Sequence, residues 1–118
     1  MLLEKLKLSD QSEEISIGDV VTVDNNGNAK KVSTLDDTFK VVGIAQEIEN
    51  DENEKYILVS IAGISKANTH EEYLEPGDLL VAEVDGTVKC KTAYEDDIDI
   101  IGMALSNPEN NQILMKHK

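Results

Sequence analysis

Two stretches decide how this chain is read: Gly18–Gln46, GDVVTVDNNGNAKKVSTLDDTFKVVGIAQ, and Gly77–Leu105, GDLLVAEVDGTVKCKTAYEDDIDIIGMAL. They align without a gap at a constant offset of 59. Identities fall at Gly18/Gly77, Asp19/Asp78, Gly27/Gly86, Lys30/Lys89, Asp37/Asp96, Gly43/Gly102 and Ala45/Ala104. Apolar pairs are kept beside them, and Ile57-Leu58-Val59 matches Ile113-Leu114-Met115 after a shortened loop. Chance convergence of hairpins does not readily keep glycines in register, so the pattern indicates an internal duplication.

Within each copy the punctuation is that of β structure. Gly-Asp opens a turn before a strand, Asp19 to Asp24 and Asp78 to Val84. Asn26-Gly27 and Asp85-Gly86 then predict type I′ hairpin turns, with positive φ at both central residues. Return strands follow at Asn28 to Ser33 and Thr87 to Thr92, and Lys31 in place of Cys90 suggests an edge position. Polar stretches at Ser33 to Thr38 and Thr92 to Asp97 suit a loop or one helical turn. Denser apolar runs, Val41 to Ala45 and Ile98 to Leu105, read as strands buried on both faces. Gly43 and Gly102 inside them mark a bulge or a close backbone approach. Final strands are expected at Tyr56 to Ala62 and Gln112 to Lys116, with Glu49 to Lys55 a solvated loop.

The expectation is therefore one all-β domain over residues 1–118 with little helix. Its architecture would be a small β-barrel or two-sheet sandwich of two pseudo-symmetric repeats, about 15–63 and 74–118. Ser65 to Pro76 would link the copies, and Met1 to Glu14 would be a first strand or a flexible arm.

Composition narrows the function. The chain has 118 residues, enough for a core, and that core must be aliphatic because aromatics are only 3% and Trp is absent. A net charge of −13 disfavours nucleic acid and anionic lipid as partners. The single cysteine, Cys90, excludes an intrachain disulfide and fits folding in a cytoplasm. MLLEKLKL is too short and too charged for a signal peptide, and no apolar run is long enough to span a membrane.

No chemistry emerges from the motifs. His70 and His117 lack metal-ligand spacing, and Ser106 or Cys90 would meet a histidine only through folding. The acidic runs Glu49–Glu54 and Glu95–Asp99 lack the glycine and spacing of a calcium loop. Asp37 and Asp96 suit the capping of short turns better than paired-carboxylate catalysis. Lys30 and Lys89 lie within return strands, not at the turn tip a carrier lysine needs. Phe39, Tyr56, Tyr73 and Tyr94 are scattered among acids and form no stacking platform. Catalytic, metal and cofactor sites are therefore expected to be absent, and the chain is expected not to be an enzyme.

The repeated pattern, with Val41-Val42-Gly43-Ile44-Ala45 and, more loosely, Ile100-Ile101-Gly102-Met103-Ala104, resembles the small capsid cement (decoration) proteins of tailed phages. Val59 to Ile64, VSIAGI, looks like that family's link into its second copy, so the resemblance runs from about Ile15 to the end. The Met1–Glu14 head and the Glu49–Lys55 segment have no counterpart. The resemblance implies a structural virion protein on the outer capsid surface, made in the bacterial host cytoplasm. It also implies a major capsid protein lattice as partner and a homo-oligomer, a trimer if it follows lattice three-folds. Leu2, Leu3, Leu6 and Leu8 are the candidate capsid contacts, by strand addition, unless they form the first core strand. Gly18, Asp19, Gly27, Gly43, Gly77, Asp78, Gly86 and Gly102 are the structural turn and repeat residues. The alternative is a phage tail fibre, spike or baseplate module that binds another virion protein or a glycan.

Overall fold

A computed structural model describes residues 2–118. The chain is all-β, and the described residues form ten strands and two short 3-10 turns. Strands β1 (Leu2–Lys7), β2 (Val20–Val23), β3 (Ala29–Lys31), β4 (Gly43–Asp51) and β5 (Glu54–Ala62) form one antiparallel sheet, in the order β1-β5-β4-β2-β3. Strands β6 (Ile64–Asn68), β7 (Leu79–Ala82), β8 (Val88–Cys90), β9 (Gly102–Ala104) and β10 (Gln112–His117) form the second, in the order β6-β10-β9-β7-β8. The two orders are the same list shifted by five strands. Each repeat is one sheet.

This equivalence moves the repeat boundaries. Ile64–Asn68, in the expected linker, is strand β6, and it pairs with β10 as β1 pairs with β5. The head is therefore the first strand of repeat 1 (Met1 lies outside the described residues), and β6 is its counterpart. The reason is alternation. Leu6 and Leu8 face the core in the head, as Ser65, Ala67 and Thr69 are buried in repeat 2.

Each sheet curls on itself. Leu8 bridges Ala29 and Thr69 bridges Val88, so the two edge strands of each sheet touch at one residue pair. No ladder continues from those bridges, so neither sheet closes into a full barrel. Leu8, Ile15, Val21, Ala29, Ala45, Ile57 and Val59 fill the first curl. Their repeat partners Leu74, Leu80, Val88, Ala104, Ile113 and Met115 fill the second. The second cluster also holds Val20, Val32 and Ile44 from repeat 1, all fully buried. Strand alternation explains this. Val21 points into the first curl, so Val20 beside it points out and is covered by repeat 2.

The turns differ from expectation. Positive φ occurs at Gly27 and Gly86 but not at Asn26 or Asp85, so these hairpins are not type I′. The Asp24 carboxylate accepts the N–H groups of Asn26 and Asn28, and the Asp24–Asn28 pair closes a three-residue loop ending in a left-handed glycine. Positive φ at two successive residues is found instead at Glu52-Asn53 and Asn110-Asn111. Glu49 to Lys55 is thus not a loop: β4 and β5 pair out to Asp51 and Glu54 around a two-residue turn. Charged residues there are compatible with strand because both faces meet solvent. The run from Ile98 is likewise not wholly strand. Ile98 lies in the 3-10 turn Asp97–Asp99 and is exposed, and β9 begins at Gly102. Its equivalent turn is Asp36–Phe39.

Gly18 and Gly77 sit third in tight turns at φ +97°, each followed by an aspartate whose carboxylate accepts an N–H three residues back. Gly43 and Gly102 have a different role. A Cβ at Gly43 would strike the Ser60 carbonyl, and one at Gly102 would lie 2.6 Å from the Lys116 carbonyl oxygen. A Cβ at Gly27 would meet nothing within 4 Å, and there only φ +80° disfavours a side chain. Gly102→Ala is expected to destabilise the fold by about 2 kcal/mol or more, and Gly27→Ala by about 1 kcal/mol. Urea unfolding of both variants measures the order.

Candidate functional site

The outer strand β1 places the predicted contact leucines in three environments. Leu2 and Leu3 are 55% and 41% exposed. Leu6 packs against the first curl, and Leu8, 2% exposed, belongs to its core. Leu8 is therefore a core residue and not a contact. It is drawn in because the chain turns across the open side of the curl, where Leu8 N–H donates to Lys55 and Ser9 N–H to Ala29. The lysines of β1 anchor the strand to the β4–β5 hairpin: Lys5 Nζ is 3.2 Å from Glu49, and Lys7 Nζ is 3.0 Å from Glu54. Such half-exposed pairs contribute little stability. Lysine on an outer strand discourages indiscriminate pairing.

A second surface was not legible in the sequence. Leu35 and Phe39, around the first 3-10 turn, approach Val81, Ala82, Val84 and Tyr94 of repeat 2 across a groove of about 560 Å³. Leu35, Phe39, Val84 and Tyr94 are all exposed. Lys89, Glu95, Asp96 and Asp99 line its polar side. The available signal was that large apolar residues interrupt stretches otherwise fit for solvent, as in Ser33–Phe39. The groove itself requires knowing that the two repeats meet there.

The recurring lysines are ion-paired within the fold. Lys30 Nζ lies 3.2 Å from Asp37, and Lys89 Nζ lies 3.0 Å from Glu83 and 3.3 Å from Glu95. Asp37 also accepts the N–H groups of Ser33 and Thr34, and together with Lys30 these hold its carboxyl below the usual range against its partial burial. The partner in repeat 2 is Glu95, one position earlier in the alignment than Asp96. Asp96 instead begins its turn, its N–H donating to Asp99. Burial raises the Cys90 thiol, the acids Asp78, Glu71 and Glu95 add to this, and it is no activated nucleophile.

The structure does bring one histidine to two serines. His117 Nε2 lies 2.8 Å from Ser60 Oγ and 2.5 Å from Ser65 Oγ, and Ser60 Oγ donates to Ser65 Oγ at 3.0 Å. These residues sit on β10, β5 and β6, so the trio ties the two sheets together. Ser60 and Ser65 are buried, and no carboxylate contacts the imidazole among the described residues. A nucleophilic site needs an accessible hydroxyl and an oriented base. The serine hydroxyls of the trio are buried, and the trio reads as a structural clasp. Among the described residues no group of His, Cys, Asp and Glu is placed to hold a metal ion, and no helix is long and apolar enough to cross a membrane.

The chain matches no protein-family model, no curated protein and no solved structure.

Burial holds His117 below its ordinary value, so the folded state keeps a neutral imidazole. Its contribution to stability is complete above about pH 6.5 and is lost as pH falls, because the unfolded chain then takes up a proton that the fold refuses. Thermal unfolding between about pH 7.5 and pH 5 is expected to fall less steeply for His117→Gln than for the parent chain.

Proposed function

We propose that this chain is a non-enzymatic structural module, a capsid decoration protein that binds the outer surface of an assembled tailed-phage head. The observation that carries the reading is the outer edge of β1: among the described residues the strand pairs along its length with β5 alone, and it presents exposed Leu2 and Leu3 beside the double sheet. An open edge with apolar side chains suits strand addition by a partner, where backbone hydrogen bonds give affinity and side-chain pockets give specificity. The cement resemblance supplies the partner class, the major capsid protein lattice. Binding only the assembled shell stabilises that shell by linkage, and many copies make modest contacts sufficient. The net charge of −13 keeps such a surface from collecting nucleic acid. Its location would be the virion, after folding in the host cytoplasm, and its form a homo-oligomer.

A second reading draws on Phe39 and Tyr94. Both are exposed on one groove beside Asp96 and Asp99, an arrangement of aromatic and acidic groups that suits a glycan. It favours a tail fibre, spike or baseplate module.

Co-sedimentation with purified expanded heads separates the two. Saturable binding to heads, absent with free capsid subunits and reduced about tenfold by Leu2→Ser with Leu3→Ser, is the expected result. No binding to heads, with loss of a glycan-array signal on Tyr94→Ala, would transfer the assignment to the second reading.

A further inference from the structure

The joint between the repeats is one-sided, and its unused halves are complementary. Asn68 N–H donates to the Gly18 carbonyl at 2.9 Å, and Val20 N–H donates to the Gly86 carbonyl at 2.7 Å. The Asn68 side chain donates to the Ile17 carbonyl and to Asp19 Oδ1, both at 3.0 Å. The fit is tight. A Cβ on Gly18 would lie 2.5 Å from Asn68 Oδ1, and one on Gly86 would lie 2.6 Å from the Lys31 side chain.

Each of these positions has a repeat counterpart. Gly77 stands for Gly18, Leu79 for Val20, and Gly27 for Gly86. Leu8 and Thr69 make the same bridge to equivalent residues, so Lys7 stands for Asn68. A two-fold relation between repeats would place Gly77 against Lys7 and Leu79 against Gly27. The chain does neither, and among the described residues a Cβ built on Gly77 or Gly27 would meet nothing within 4 Å. Leu79 is 43% exposed where Val20 is fully buried. Lys91 N–H donates to the Leu79 carbonyl as Val32 N–H does to Val20, yet among the described residues the Leu79 N–H has no backbone acceptor.

We propose that a second copy of the chain occupies this face. The Gly77–Leu79 face of repeat 2 in one copy seats on the Lys7–Gly27 end of repeat 1 in the next, continuing the joint already present within each chain. Lys7 N–H would donate to the Gly77 carbonyl and Leu79 N–H to the Gly27 carbonyl. Charge agrees as well: where Asn68 meets Asp19, Lys7 would meet Asp78. The contact is heterologous, so copies add head to tail and either close into a ring or extend. Lys91 replaces the buried Val32 at this face, which makes the contact more polar than the internal joint. The proposal stands whether or not the capsid reading does.

Sedimentation equilibrium of the full chain over a concentration series tests it. The weight-average mass is expected to rise with concentration. Leu79→Glu and Lys7→Glu, each confirmed folded by its melting curve, are each expected to weaken association about tenfold or more. An equimolar mixture of the two variants restores it, because each supplies the face the other lacks, and growth stops at a one-to-one pair. Growth of the parent chain's mass beyond two copies separates this contact from a symmetric dimer. A constant monomer mass for the parent chain, association that survives both variants, or a mixture no better associated than its components would overturn the proposal.

Discussion

The structure depends on one burial: Val20, Val32 and Ile44 leave the first sheet on its outer side and complete the core of the second. Each repeat alone is a five-stranded sheet with strands as short as three residues, curled over a small aliphatic cluster. Units of that size are marginal, because too little surface is removed from water to offset chain entropy. Packing the outer face of one sheet into the other adds core without adding length. The Ser60–Ser65–His117 clasp and the His117 N–H bond to the Gly63 carbonyl close the same seam with polar groups. Those groups stay buried only because they satisfy one another.

Because the joint is one-sided, equivalent positions in the repeats have unequal surroundings, and the sequence diverges where they do. Val32 faces Lys91, Val20 faces Leu79, and Lys7 faces Asn68 across the alignment. Positions with the same role in both copies keep their identity: Gly18 and Gly77 in the turns, Gly43 and Gly102 beneath a crossing carbonyl, Lys30 and Lys89 holding an acid near a 3-10 turn. Duplication followed by unequal burial accounts for both groups.

The all-β class, the duplication and most strands were legible because glycine spacing and apolar pairs report backbone geometry directly. The strands β1 and β6 were harder. They lie outside the gapless match, and only two or three of their residues face a core, so alternation is short. The hairpin turns were misassigned since an Asn-Gly or Asp-Gly pair suits two turn types. In the first hairpin the Asp24 carboxylate gathers Asn26 and Asn28, and in the second the Asp85 carboxylate gathers Thr87. Glu49 to Lys55 reads as loop by composition, yet it pairs as strand where both faces are wet. For the candidate contacts, residue type identified Leu2, Leu3, Leu6 and Leu8 together. Only the closure of the curl separates exposed Leu2 and Leu3 from buried Leu8. The groove at Phe39 and Tyr94 and the clasp at His117 arise from contacts between repeats, which no local pattern encodes.

Native-state hydrogen exchange tests most directly whether the shared core makes the two sheets one cooperative unit. The slowest amides of β2, β4 and β5 and those of β7, β9 and β10 are predicted to exchange with one common opening free energy, equal to that of global unfolding. If one sheet instead exchanges through a lower-energy opening while the other stays protected, the repeats are independent. The account of the buried seam would then be wrong.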